Sequence, residues 1–383
     1  MAVRKILTPE FVSVFLSQLA LSFTVSLLIP TLPIYLAGLG SREETIGILI
    51  GALSVSSVFL RPAVGKALMK VPERKFMLAG AFIYAVTSLS YIVASPFWPF
   101  FLVRILQGVG AAFFYTASVL MVISISPDAH RGESISYFYT AYNFAFAIAP
   151  TVGMYVINLM DFPSLFLLCT ALSLLSLIFV LRLPKKSNQP PASESARNGS
   201  YLDARTLHPA VMSFAANFLW GAVGAFFPLY AVSLGVANPG YFFGACALTL
   251  IVGRMLGGRI LDRYSRDSVI PPCLIAFIAA MILLSFSKTL TMFIIVAVIY
   301  GAGIAFFFPT IVVYTVEQAG AARGPAMGTF TAAGDLGVGL GAVIMGGVLR
   351  LTNYPIMFFC LALVAAISLG YFHHFMRQRS KSP

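Results

Sequence analysis

Arg254-Met-Leu-Gly-Gly-Arg-Ile-Leu-Asp-Arg-Tyr-Ser-Arg266 decides how the rest of the chain is read. It closes one apolar run and precedes another. Gly257 and Gly258 allow two helix backbones to approach closely. Asp262 and Arg263 then fall at a membrane–water boundary, with Arg259 and Arg266 beside them. An earlier copy lies 193 positions upstream, where Arg61, Gly65, Lys66 and Lys70 match Arg254, Gly258, Arg259 and Arg263. The carboxylate is the exception, because Met69 stands where Asp262 stands later.

Working outward, the same spacing recurs. Pro33-Ile-Tyr35 through Leu39-Gly40 matches Pro228-Leu-Tyr230 through Leu234-Gly235 at a shift of 195. Gly108-Val-Gly110-Ala-Ala112-Phe113-Phe114 matches Gly301-Ala-Gly303-Ile-Ala305-Phe306-Phe307 at 193, and Arg131-Gly132 matches Arg323-Gly324 at 192. Landmarks that keep both order and spacing mark a duplicated half, the pattern of transporter folds built from repeats.

The 383 residues are 59% hydrophobic and 10% charged, with mean hydropathy +0.91. Soluble domains carry about 25% charged residues, so a water-soluble globule is excluded. The net charge of +12 would point to nucleic acid in a soluble protein. Here it fits the Lys/Arg enrichment of cytoplasmic loops, and no nucleic-acid partner is expected. Cys169, Cys246, Cys273 and Cys360 all lie in apolar runs without metal-ligand or redox spacing, and read as packing residues. The first apolar run is far longer than the roughly 7–15 residues of a cleavable leader's apolar core.

A membrane-spanning helix needs about 20 mostly apolar residues. Twelve candidates follow, near 11–37, 44–68, 75–95, 97–125, 133–159, 162–183, 209–235, 239–261, 268–287, 289–317, 323–349 and 354–376. The expected architecture is an all-α membrane protein, with a six-helix bundle over 1–183, a polar Pro/Ser-rich linker over 184–208 and a second bundle over 209–383. Lys and Arg gather at the termini, the linker and one set of loops, whereas only Arg42, Lys288 and Arg350 fall on the opposite side. That imbalance predicts a multi-pass membrane protein with both termini and the linker cytoplasmic, and an inner (cytoplasmic) membrane is the expected location.

These features resemble the major facilitator superfamily over the whole chain. Gly258 to Arg266 is similar to that family's Gly-x-x-x-Asp-Arg-x-Gly-Arg loop, with Ser265 in place of the second Gly. In the first-half copy Met69 replaces the Asp and Pro72 the Gly. Arg104-Ile-Leu-Gln107-Gly108-Val-Gly110-Ala111-Ala112 matches the Arg-x-x-Gln-Gly-x-Gly-Ala-Ala pattern of the fourth helix. Ala145 to Gly153 resembles the fifth-helix pattern of the family's antiporters, keeping Pro150 and Gly153 but carrying Ala145, Ala149 and Met154 where glycines are usual. The resemblance implies two bundles around a cavity that opens alternately to each side. It also implies a conformational latch at Arg61, Gly65, Arg254, Gly258, Asp262 and Arg263.

Asp335 is the one acid placed deep in a predicted span; twelve residues beyond Arg323, it lies roughly 18 Å in at 1.5 Å per residue. A carboxylate at that depth alternates between neutral and ion-paired forms as its surroundings change, which is the chemistry of a proton carrier. Its repeat partner is Asn143. Arg104 is the second candidate for proton coupling, as a counter-charge. Gln18, Tyr139, Tyr142, Asn143, Asn217, Trp220 and Tyr300 are candidate cavity residues, since aromatic walls with a few polar groups suit an amphipathic small molecule. The first span carries Gln18, Ser22, Thr24 and Ser26 but no acid, unlike many proton-driven exporters of the family.

No metal cluster, nucleophile–base pair or phosphate loop is visible, so no enzyme activity, cofactor or metal is expected. The expectation is a monomeric secondary transporter in the lipid bilayer, exporting an amphipathic small molecule in exchange for protons. Proton-coupled uptake or facilitated diffusion of a polar nutrient is the alternative, and a non-transporting sensor or scaffold a further one.

Overall fold

Inside lipid every backbone N–H and C=O must be satisfied within the protein, and an apolar run of about 20 residues does so as a helix. The computed structural model describes residues 7–95, 97–127, 130–184, 206–319 and 323–379, with the side chains of 131–132, 256–263, 323–325 and 375–379 excepted. Twelve helices account for the regular structure of the described residues. The first six are α1 (Pro9–Gly38), α2 (Glu43–Ala67), α3 (Glu73–Ser90), α4 (Trp98–Ile125), α5 (Arg131–Leu159) and α6 (Phe162–Leu181). The second six are α7 (Leu207–Ser233), α8 (Gly240–Arg263), α9 (Arg266–Phe286), α10 (Leu290–Ala319), α11 (Arg323–Leu351) and α12 (Tyr354–Arg379).

Ten of them are long and apolar enough to cross a membrane. Of the other two, α3 falls short because its 18 residues open on Glu73-Arg74-Lys75, while α8 is apolar over Gly240–Met255, the part of it whose side chains are described. The linker expected at 184–208 lies largely outside the described residues.

Contacts gather the chain into two units, one of residues 1–35 and 52–199, the other of 36–51 and 200–383. In the first, α3 packs on α4 and α6. A methyl at Gly80 would sit 2.8 Å from the Gly110 carbonyl, so α3 and α4 approach backbone to backbone. Phe11, Val14, Leu21, Met77, Tyr84, Phe114 and Phe138 fill the core beside that contact. Ser17 and Ser176 share a 2.9 Å hydrogen bond, and Thr24 donates to the Cys169 carbonyl at 3.2 Å, tying α1 to α6. At the head of α6, Asp161 caps the helix by accepting from the Ser164 N–H at 2.8 Å.

In the second unit α7 lies along α11, while α9 packs on α10 and α12. The α7–α11 seam is lined by glycines. Gly337 and Gly341 abut the carbonyls of Phe214 and Phe218, and Gly221 abuts that of Val338. The start of α2 joins this unit through a similar seam, in which Gly47 and Gly51 face Ala342 and Gly339. Glu44 pairs with Arg350 at 2.5 Å at the end of that seam.

The sequence repeat is written into local geometry. After α1, Gly40 at φ 78° turns the chain, with Ser41 N–H bonded to the Leu36 carbonyl at 3.0 Å. After α7, Gly235 at φ 81° does the same, with Val236 N–H bonded to the Ala231 carbonyl at 3.0 Å. Only a residue without Cβ adopts that conformation cheaply, which is why both helices stop at Gly. The Tyr35 hydroxyl donates to the Tyr91 carbonyl at 3.3 Å, and its counterpart Tyr230 donates to the Ser287 carbonyl at 2.7 Å.

Candidate functional site

In the first unit, five helices bring polar groups to one layer. Counted at 1.5 Å per residue from the helix ends nearest the basic loops, Arg61 of α2 lies about 9 Å in. On the same count Tyr139 of α5, Gln18 of α1, Tyr115 of α4, Tyr84 of α3 and Tyr142 of α5 lie about 12–17 Å in. Gln18 is 2% exposed and donates from Nε2 to Ser22 Oγ at 3.2 Å, while its Oε1 has no hydrogen-bond partner. The Tyr115 hydroxyl is buried without a hydrogen-bond partner. Arg61 is half-buried and donates from Nε to Ser57 Oγ at 3.3 Å. Tyr142 stacks on Phe146, and Asn143 is half-buried beside it. Tyr84, which the sequence did not single out, lies at the same depth as Gln18, Tyr115, Tyr139 and Tyr142.

Arg104 occupies a different place. It is 7% exposed near the start of α4 and donates to Gln107 Oε1 at 2.7 Å. The Tyr91 hydroxyl donates to the same oxygen at 2.6 Å. Tyr91 is itself held between Phe100 and Phe166. The guanidinium therefore sits in a packed polar triad joining α4 to the end of α3. Only Arg104 and Gln107 of that triad stand in the sequence pattern; Tyr91 carries no sequence signal for this role.

Pro150 and Gly153 lie buried in α5. A methyl on Gly153 would come 2.8 Å from the Leu27 carbonyl and 3.2 Å from Thr31 Cγ2. Gly153 thus lets α5 touch the α1 backbone, and Pro150 supplies no N–H to the helix ladder three residues earlier.

The expected latch is only partly within the described residues. Arg61 has the surroundings given above, and Arg254 is exposed. Among the described residues, nothing lies within 4 Å of where a Cβ on Gly65 would stand. The side chains of Gly258, Asp262 and Arg263 lie outside the described residues. Arg266 pairs with Glu317 at 2.7 Å, tying the start of α9 to the end of α10.

In the second unit, Asp335 is half-buried and its Oδ2 is shielded from solvent. A methyl on its neighbour Gly334 would lie 3.0 Å from Asn217 Nδ2 and 3.1 Å from Ser213 Oγ. The glycine seam thus brings Asn217, Ser213 and the Asp335 backbone into one place. Asn217 donates from Nδ2 to the Ser213 carbonyl at 2.9 Å, so its amide turns back on its own helix. Among the described residues, the other acids of this unit stand near helix ends: Glu43, Glu44, Asp267 and Glu317. Trp220 stacks on Tyr300 at 6.3 Å and 16°. Trp220 is half-buried, whereas Tyr300 is 1% exposed and packed against Phe277.

A profile of the Major Facilitator Superfamily matches residues 14–253 and 210–383. The chain is 25% identical over 351 residues to the staphylopine export protein of Staphylococcus aureus, covering 86% of this chain and 87% of that one. It is 23% identical over 376 residues to multidrug resistance protein 2 of Bacillus subtilis, covering 93% of each. Among solved structures, nucleoside transporter NupG superposes with a TM-score of 0.77 over 96% of this chain and 99% of that chain, at 16% identity. At that identity the superposition speaks to the fold alone.

Proposed function

The chain belongs to the Major Facilitator Superfamily, and from that premise we propose that it exports an amphipathic small molecule in exchange for protons. It is a multi-pass membrane transporter and not an enzyme. Relatives named for export and multidrug resistance align with nearly its whole length, which supports the outward direction. So does the small-residue contact of Gly153 on α1 next to Pro150, in the segment that resembles the antiporter pattern.

One observation carries the proton step. Asp335 is the only acid among the described residues that lies well inside a helix of the bundle, about 18 Å from the start of α11. Burial favours its neutral form, and an approaching cation favours its charged form. Two states of the transporter that expose Asp335 to different surroundings bind a proton on one side and release it on the other. The six-helix halves joined by the 184–208 linker serve as the two moving bodies of a monomer. The stretch around Gly258, Asp262 and Arg263 serves as their latch. The Lys/Arg imbalance supports placing both termini in the cytoplasm, and bacterial relatives of the family support an inner-membrane location.

The test is flux in proteoliposomes with and without an imposed pH gradient, wild type beside Asp335→Asn. The variant keeps size and hydrogen bonding but cannot titrate. Gradient-driven accumulation is expected to disappear while passive exchange persists. Undiminished accumulation in Asp335→Asn would remove the residue from the coupling path.

A further inference from the structure

Within the first unit, the start of α1 and the end of α6 enclose a cleft of about 460 Å³. That volume falls in the range of about 300–1,000 Å³ found for small-molecule sites. The cleft carries opposite charges, Glu10 from the first turn of α1 and Arg182 from the residue that ends α6. Among the described residues no ion pair joins the two or takes either of them elsewhere. One cleft thus holds an anionic side and a cationic side apart. The first turn of a helix favours a negative charge, which keeps Glu10 ionised. The Arg182 guanidinium lies over the Phe179 ring, 5.6 Å from its centroid, and Phe179 is itself part of the lining. The carbonyls that end α6 would repel an anion, but Arg74 covers them, donating to the Leu181 oxygen at 2.8 Å and the Val180 oxygen at 3.3 Å. The walls are tied as well. Ser17 and Ser176 join α1 to α6 at 2.9 Å, and Thr8 Oγ1 caps α1 by accepting from the Phe11 N–H at 3.2 Å.

An apolar line leaves the cleft along each helix. Leu16 lines the cleft, and Phe23 stands seven residues further along α1. On α6, Leu175 and Leu168 stand seven and fourteen residues before Arg182. Residues seven apart share a helix face. Leu175 is exposed, while Leu16, Phe23 and Leu168 are half-buried. Both helices are long and apolar enough to cross a membrane, and their charged ends adjoin the basic stretches Arg4-Lys5 and Lys185-Lys186 in sequence. The matching ligand has a cation and an anion close together at one end and hydrocarbon at the other.

We propose that this cleft binds an aminophospholipid of the leaflet on the basic-loop side, with Arg182 on its phosphate, Glu10 on its primary ammonium and an acyl chain along Leu16, Phe23, Leu175 and Leu168. An ammonium has three N–H donors for the carboxylate, and a guanidinium presents a fork of donors to a phosphate. A choline headgroup has no N–H to give Glu10. A glycerol headgroup brings the phosphate but no cation. A soluble zwitterion would satisfy the charges and leave the apolar line bare. The site belongs to the first unit and Asp335 to the second, so the inference rests on neither the proton step nor the direction of transport.

The experiment is native mass spectrometry of the purified, delipidated full-length protein in detergent. It is titrated with dioleoylphosphatidylethanolamine, dioleoylphosphatidylcholine or dioleoylphosphatidylglycerol. The first ethanolamine lipid is expected to bind at least about tenfold more tightly than either of the others. Glu10→Gln is expected to bring the ethanolamine lipid down to the choline level and to leave the choline lipid unchanged. Arg182→Gln is expected to weaken all three lipids, since the phosphate is common to them, and Arg182→Lys to retain part of the affinity. Both residues are exposed, so the variants leave the core intact, and the ranking of the lipids on wild type decides the matter even where a variant folds poorly. Equal affinity for the three lipids, or an ethanolamine preference that survives Glu10→Gln, would overturn the proposal. Displacement of the lipid by equimolar O-phosphoethanolamine would overturn it too, by assigning the cleft to a soluble zwitterion. The readout is binding without flux, so each of these results leaves the exporter reading to its own test.

Discussion

Replacing Gly153 by Ala tests the contact on which the α1–α5 pairing depends. The new methyl would lie 2.8 Å from the Leu27 carbonyl oxygen and 3.2 Å from Thr31 Cγ2. An ordinary carbon–oxygen contact needs about half an ångström more, and both listening atoms belong to or sit close on a helix backbone that yields little. Overpacking of this size costs about 1–3 kcal/mol. Against it stands the gain of about 1 kcal/mol that Ala holds over Gly inside a helix. Gly65→Ala is the natural reference, because nothing lies within 4 Å of a methyl there. The helix-propensity gain is common to both variants and cancels in their difference, which leaves Gly153→Ala about 1–3 kcal/mol less stable than Gly65→Ala. Cys169, Cys246 and Cys273 are buried, so a thiol-reactive fluorogenic dye reports unfolding in detergent without any label being introduced. Equal midpoints for the two variants would show that α1 and α5 do not meet at Gly153.

Arg104→Met removes a charge-assisted hydrogen bond from a buried triad and is expected to cost about 1.5–3 kcal/mol, read in the same dye assay. The Tyr91–Gln107 bond survives in that variant, so a Tyr91→Phe change is expected to add further loss; an unchanged midpoint in Arg104→Met would place the guanidinium outside the packed triad. Asp161→Ala removes the cap of α6. Hydrogen bonds from the Ser164 hydroxyl and then its backbone N–H hold the Asp161 carboxyl below the usual aspartate range, so its contribution is complete above that range and fades as pH falls through the lowered value. The midpoint gap between wild type and Asp161→Ala is expected to be constant near neutrality and to close in acid, and a gap that widens in acid would contradict the cap.

The number of helices and their pairing across the repeat were legible because they rest on features that sequence displays openly. Apolar runs, their Pro and Gly punctuation, and the spacing of Tyr35 to Tyr230 and Gly40 to Gly235 need no knowledge of packing. Rotation about the helix axis was not legible. A helix that is apolar all round carries no stripe to say which side faces inward. Tyr139, 46% exposed, and Tyr300, 1% exposed, therefore looked alike in the sequence. Asn217 stood out as a polar residue in mid-span, yet its amide is turned back to the Ser213 carbonyl, a choice set by Gly334 passing close by. The pairing of Gly47 and Gly51 with α11 escaped notice because small residues are frequent in all such helices. Arg104 was recognised by its motif, and the motif is silent on the neutral company it keeps.

Several contacts shared by the two halves end on main-chain oxygens. Tyr35 and Tyr230 donate to the carbonyls of Tyr91 and Ser287, and Gly108 and Gly301 press against the carbonyls of Leu53 and Cys246. In each pair the receiving side chain has changed between halves, and the contact has not. A carbonyl is present whatever residue bears it, so such a bond is indifferent to substitution on its accepting side. Arg104 to Gln107 has no such protection: the corresponding positions of the second half are Ala297 and Tyr300, and the interaction is gone. The contacts addressed to the backbone are thus shared by the two halves, and the Arg104–Gln107 contact between side chains is not. The halves carry different polar groups on that common frame, Arg61 in α2 of one and Asp335 in α11 of the other.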